Sequence, residues 1–297
     1  MRRRFFTLDV FTAKRFTGNP LAVVLEPDGL DTAAMQLIAR EFGHPETVFV
    51  LPPGKKEHRA KLRIFTPAFE LPFAGHPTVG TAVLLGRLDG GAQAREMILE
   101  EGVGPVACVV DPSPEGGNAR FTVPRLPSRI GVLADAGKVA AALSLGVGDI
   151  GCENFTAERW SAGNPFNFVP LRGLDAMRRA RTDLSRWDDA FGSEGVGVFM
   201  FCRETADAGH AFHARMFAPT HGVPEDPATG SAAAAFAGLL TARGTYADGD
   251  HRLRIEQGYE MGRPSLIDLS FSMRGGALAA AFIGGNAVVV TEGAIEA

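Results

Sequence analysis

The chain has 297 residues, 45% of them apolar, and a formal net charge of -4. That length suggests about two domains with ample material for cores. The mild charge excludes a basic nucleic-acid groove or a polybasic membrane patch, and 21 Phe against two Trp and two Tyr favour an apolar interior over a stacking surface.

Arg2, Arg3 and Arg4 could open a signal peptide, but Asp9 and Lys14 break the apolar stretch that must follow. No apolar run reaches membrane-spanning length, so the expected compartment is the cytoplasm. In residues 5–10, Phe6, Leu8 and Val10 alternate with Phe5, Thr7 and Asp9, a strand pattern. Residues 21–25 continue as a second strand. Asp31 then has the character of an N-cap, Met35, Ile38 and Phe42 follow at helical spacing, and Gly43 stops the helix. Residues 47–51 and 60–66 read as strands, residues 78–85 as a buried helix. Further on, Ala- and Leu-rich residues 232–240 predict a second fully buried helix among short strands. Strands and helices do not alternate regularly, so mixed sheets wrapped on buried helices fit better than a doubly wound parallel sheet.

An internal repeat organises the chain. RIFTP at 63–67 matches RMFAP at 215–219, HPTVGTA at 76–82 matches DPATGSA at 226–232, and upstream TGNPLAVV at 17–24 echoes AGNPFNFV at 162–169. Three landmarks in the same order imply two lobes of similar fold. The boundary is expected near 124–127, giving an N-terminal lobe 1–125 and a C-terminal lobe 126–297 whose last strand returns to the first.

In both copies a strand ends, a proline-containing loop follows, and a helix is expected at [HD]PxxG[TS]A. A proline just inside a helix start is favourable because its missing N–H would be unpaired there anyway. Small residues leave the first N–H groups accessible, and such an end attracts anions. Lobes related by a pseudo-two-fold could aim both ends at one cleft holding a carboxylate or an enolate oxygen. His76 and Asp226 stand at matching places; the plainer readings, a loop histidine and an N-cap, lose weight because the positions match. Glu46, in HPETVFV before an apolar strand, is the third candidate. A partly desolvated carboxylate there suits general acid/base work, although a surface glutamate is the plainer local reading.

Other signals are weaker. Gly146, Gly148 and Gly151 meet a GxGxxG pattern but follow a helix-like segment, so no dinucleotide site is expected. His210 and His213 are expected on opposite faces of a strand, and no metal site is expected. His221 could reach the cleft, a solvated loop position being the plainer reading. Cys108, Cys152 and Cys202 lack metal or disulfide spacing and read as reduced core residues.

DVFTAKRFTGNPLAVV, ETVFV around Glu46, FTPAFELPFAGHPTVGTA, GVPEDPATGSAAAA and IEQGYEMGRPS together resemble the phenazine-biosynthesis PhzF-like family, within the diaminopimelate-epimerase-like fold. The resemblance spans nearly the whole length. It implies an α+β protein of two pseudo-symmetric lobes, each a mixed β-barrel-like sheet around a central buried helix, and a homodimer. It implies a cofactor-independent isomerase acting on a small carboxylated metabolite, with Glu46 transferring the proton, His76 and Asp226 as further acid/base groups, and Gly75, Gly230 and Ser231 holding substrate. Epimerase relatives carry a cysteine pair; neither helix start here has one, which disfavours a two-cysteine racemase. Pro45 stands where the family often has a small polar residue. The alternatives are an epimerase or dehydratase of an amino or hydroxy acid, and a non-catalytic small-carboxylate binding protein.

Overall fold

The computed structural model describes residues 1–91, 93–133, 135–194 and 196–297, with the side chain of His221 outside the description. The chain divides into two compact units, Met1–Pro124 with Ile283–Ala297, and Arg125–Phe282. The final strand, Ala277–Glu296, therefore starts in the second unit and ends in the first.

In the first unit the strands Arg2–Val10, Asn19–Leu25, Glu46–Leu51, Ala60–Phe65, Arg95–Glu101, Gly104–Pro112 and Gly116–Thr122 pair in that order. The final strand pairs with both the first and the last of them, so the ring closes as a mixed eight-stranded barrel among the described residues. Enclosed by it is the helix Gly75–Leu88, buried from Gly75 to Gly86 and packed against strands on every side. A helix with no exposed stripe needs small residues where strands press in. At Gly80 an added Cβ would sit 2.6 Å from Leu21 Cδ2 and 2.7 Å from Val10 Cγ2. Outside the barrel lies Thr32–Phe42, capped by the Asp31 carboxylate accepting from Ala34 N–H and ended by Gly43 at φ 63°, as its sequence predicts. It packs Met35 and Ala39 against Val24, Phe49 and Phe65.

The second unit repeats the plan with other residues. Ser128–Val132, Glu158–Ser161, Pro165–Pro170, Gly197–Cys202, Phe212–Ala218, Gly249–Gln257 and Ser265–Arg274 pair in succession, with parallel contacts at the third and fifth junctions. Its central helix is Gly230–Arg243. Phe236 on that helix meets the rings of Phe201 at 4.7 Å, Phe212 at 5.0 Å, Phe168 at 5.6 Å and Phe199 at 5.7 Å, which puts the phenylalanine excess where it was expected. A second apolar layer forms under the short helices Ala136–Ala142, Leu174–Arg179 and Leu184–Phe191, around Trp187 and Phe191.

Cys108 and Cys202 are buried and Cys152 half-buried, all as free thiols. Gly146, Gly148 and Gly151 follow the helix Ala136–Ala142 and not a strand, consistent with rejecting a nucleotide loop. The histidine expectation is corrected. His210 precedes the strand Phe212–Ala218, so strand alternation does not govern it, and both histidines turn to one carboxylate: His210 Nδ1 is 2.7 Å and His213 Nδ1 2.8 Å from the two oxygens of Glu256.

Replacing Phe236 by Ala removes the ring at the centre of the second unit's core. We expect a loss of about 3–5 kcal/mol of unfolding free energy in chemical denaturation. A loss below about 1 kcal/mol would mean that the cluster collapses onto the helix without it.

Candidate active site

Glu46 begins the strand Glu46–Leu51, beside Leu21 of Asn19–Leu25 in register, and its side chain is half-buried. His76 is the second residue of the central helix and is buried. Its Nε2 lies 3.1 Å from Glu46 Oε2, close enough for proton transfer although not aligned as a hydrogen bond. The other ring nitrogen donates to the carbonyl of Pro20. A tight turn delivers that carbonyl: Gly18 adopts φ 70°, and a Cβ there would lie 2.4 Å from the Val10 carbonyl oxygen, so only glycine fits.

Burial pushes the His76 imidazole down to about 3, opposed by the bond to Pro20 and assisted by the nearby His44. The ring is therefore neutral near neutral pH, and its single proton is engaged with Pro20. Nε2 then presents a lone pair to Glu46, so the close contact is attractive when Glu46 itself carries a proton. A carboxyl placed beside a neutral imidazole that can accept its hydrogen bond is a candidate for general acid/base chemistry.

The helix start beneath His76 has no side-chain cap. The N–H groups of Gly75 and His76 have no partner inside the helix, and Pro77 contributes none. Carrying the positive end of the helix dipole, they form a site suited to a carboxylate.

In the second unit Asp226 is buried at the end of the strand Val223–Asp226, opposite Met216. Its Oδ2 accepts from the Thr229 hydroxyl at 2.5 Å. The Gln257 amide bridges the segment, donating to the Asp226 carbonyl at 2.8 Å and accepting from Thr229 N–H at 3.0 Å. The helix starts at Gly230, again without a side-chain cap, with Ser231 half-buried in its first turn.

This corrects one feature of the repeat. HPTVGTA and DPATGSA do not enter their helices alike: the first helix starts one residue before His76, the second four residues after Asp226. Structurally, Gly75–His76 and Gly230–Ser231 hold the same helical positions, and Leu84–Leu85 matches Leu239–Leu240. Asp226 stays extended because it pairs in the ladder with Met216. It is not the N-cap, which is Thr229. His221 falls in the turn Pro219–His221, and its side chain lies outside the described residues.

Sequence reading missed the supporting residues. Gln257 lay inside a recognised motif with no role attached, while Thr229 and Pro20 act through a hydroxyl and a backbone carbonyl whose partners are remote in sequence. A cavity of ≈ 590 Å³ in the first unit, lined by Pro112, Glu115, Asn118 and Asn286 among others, includes neither Glu46 nor His76. Among the described residues no group of three or more His, Cys, Asp or Glu could hold a metal ion, and no helix is long and apolar enough to cross a membrane.

The state of His76 is directly measurable. Its folded value lies below the ordinary histidine value, so the unfolded chain binds the proton first and stability falls as pH drops from about 6.5 toward 3. The His76 ring resonances are expected to stay in the neutral form from pH 5 to 8 in heteronuclear NMR. A midpoint inside that window would contradict the buried neutral imidazole.

The profile of the phenazine biosynthesis-like PhzC-PhzF family matches residues 8–293. An uncharacterised isomerase of Mesorhizobium japonicum is 48% identical over 295 residues, 98% of each chain. The trans-2,3-dihydro-3-hydroxyanthranilate isomerase of Pseudomonas fluorescens is 35% identical, also over 98% of each chain. The crystal structure of a PhzF-family phenazine biosynthesis protein from Bacillus anthracis superposes with a TM-score of 0.90 at 26% identity, covering 100% of both chains. The fold class and family implied by the sequence motifs are thereby borne out. The chain belongs to the phenazine biosynthesis-like PhzC-PhzF family and is an isomerase of that family.

Proposed function

We propose that this isomerase moves a proton between two carbon atoms of a small carboxylated, cyclic metabolite, shifting a double bond and yielding a tautomer, with side chains of the chain itself as acid and base. The observation that carries the reading is Glu46 Oε2 at 3.1 Å from Nε2 of a neutral His76 on an uncapped helix start. Further support comes from the 35%-identical relative named trans-2,3-dihydro-3-hydroxyanthranilate isomerase, whose substrate name describes a cyclic carboxylate of this kind.

In this reading the N–H groups at the helix start near Gly75 take the substrate carboxylate, and Gly230 and the Ser231 hydroxyl are further substrate-holding groups. Glu46 takes a proton from a carbon made acidic by conjugation, exchanges it with solvent, and delivers a proton to another carbon of the same molecule, so atoms and charge balance without a further reactant. His76 keeps Glu46 supplied with a lone-pair neighbour that fixes where its proton sits. Asp226, held by Thr229 and Gln257, accepts from a polar substituent of the substrate. Fixed N–H dipoles stabilise the delocalised negative charge of the transition state, the largest contribution in sites of this type.

Glu46→Gln is expected to lower kcat by at least about a hundredfold with little change in KM, because the amide binds but cannot cycle a proton. Incubated in heavy water with candidate cyclic carboxylates, the native protein should add one mass unit at a ring carbon, and the variant should not. Near-full turnover by Glu46→Gln would remove it as the acid/base. Inversion at an α-carbon with exchange there would replace tautomerisation by epimerisation. If Asp226→Asn and Ser231→Ala leave kcat/KM unchanged, the second helix start has no part in the reaction.

A further inference from the structure

Glu101 is a buried carboxyl with no part in the chemistry above. It ends the strand Arg95–Glu101 in the first unit, and Thr78, in the first turn of the central helix, is its hydrogen-bonding neighbour. Thr78 Oγ1 lies 2.7 Å from Glu101 Oε1 and equally 2.7 Å from the carbonyl oxygen of Ala74, the residue just before the helix. A hydroxyl has one proton to give. The Ala74 carbonyl and an ionised Glu101 can both only accept, so one Thr78 proton cannot serve both; a neutral Glu101 resolves the competition by leaving that proton to Ala74. The short contact with Glu101 is then a hydrogen bond only if the carboxyl donates into the Thr78 oxygen. Glu101 Oε2 is buried without a hydrogen-bond partner among the described residues, a tolerable state for the carbonyl oxygen of a neutral acid and a costly one for a carboxylate.

The surroundings agree. The elements around Glu101 offer Thr78 from the helix and, from the adjoining strand Gly104–Pro112, the Cys108 thiol, itself pushed up by burial and by Glu101. Among the described residues no lysine, arginine or histidine pairs with Glu101. Burial holds its carboxyl up at about 8, with the Thr78 contact opposing. The turn after Glu101 is docked on the chain leading into the helix: Val103 N–H donates to the Pro72 carbonyl at 3.1 Å, and a Cβ on Gly102 would sit 2.8 Å from Pro72 Cα.

We propose that Glu101 works as a neutral acid, the first member of a relay Glu101–Thr78–Ala74 that clamps the helix start bearing Gly75 and His76, and that it is a positioning residue for the proton transfer at Glu46. The positioning role rests on the reading of Glu46 and His76 given above; the neutral clamp does not. When Glu101 ionises, the single Thr78 proton faces two acceptors and one bond of the relay is lost. The first turn loosens, and with it the placement of His76 against Glu46.

The sign of the linked stability follows. A carboxyl whose folded value is raised binds more protons folded than unfolded between about pH 4.5 and 8, so it lowers stability progressively across that window as pH rises. Glu101→Gln, which can still donate to Thr78, should show a Tm advantage over the native chain that is near zero at pH 4.5 and grows up to pH 8. In kcat/KM, the native enzyme should fall about tenfold from pH 7 to pH 9, and Glu101→Gln should lack that fall. Thr78→Ser should retain the native profile, while Thr78→Val should lower kcat at every pH with KM nearly unchanged. A pH-independent Tm difference, or a carboxyl carbon resonance showing Glu101 ionised at pH 7, overturns the neutral clamp. A pH-dependent Tm difference with identical kcat/KM profiles overturns the positioning role alone. A Glu46→Gln variant with full turnover sinks the assignment of Glu46 while leaving the Tm test of Glu101 intact.

Discussion

Complete enclosure of one helix in each unit is the constraint from which the other features follow. An ordinary surface helix buries a stripe and lets water satisfy its ends. Gly75–Leu88 is sheathed by the barrel of its own unit, and Gly230–Arg243 by the sheet and aromatic cluster of the other. Enclosure selects glycine, alanine and threonine where strands press close, as at Gly80, and leucine or phenylalanine where there is volume to fill, as at Leu84, Leu85 and Phe236. It also concentrates the unmet hydrogen-bonding capacity of each helix at its N-terminus, because no side chain caps either start.

The two starts are finished with different chemistry. In the first, a neutral imidazole is oriented by a backbone carbonyl and set against a carboxyl at the mouth of a strand. Burial keeps the imidazole neutral there. In the second, Asp226 is fixed by a hydroxyl and a glutamine amide that also ties down the helix entrance. Its side chain and its backbone are thus both held by residues of the same unit.

A separate charged cluster serves the second unit's architecture. His213 is buried between Glu256 and Glu260, with ring nitrogens at 2.8 Å and 3.1 Å from them. Burial lowers the imidazole's proton affinity, but the two facing glutamates outweigh it and the net shift is upward. The cluster ties the strand Phe212–Ala218 to the segment just after Gln257, the residue that holds Asp226. His76 and His213 are both almost fully buried yet shift in opposite directions, because burial dominates for the one beside a carbonyl and two carboxylates outweigh burial for the other.

Local signals were enough to read the capped helix after Asp31, the alternating first strand and both buried helices, since each depends on residues within a few positions of one another. The motifs that carry family membership were likewise legible, and with them Glu46, His76 and Asp226 as candidates. Tertiary structure alone decided where each helix begins relative to its motif, because ladder pairing with Met216 keeps Asp226 extended while nothing comparable holds His76 out of its helix. It alone turned His210 and His213 onto one carboxylate and set Glu101 under Thr78, partners 46, 43 and 23 residues apart. Hydrogen bonds across such separations leave no periodicity in the chain. Protonation states, which depend on burial and on those remote partners, come into existence only when the chain has folded.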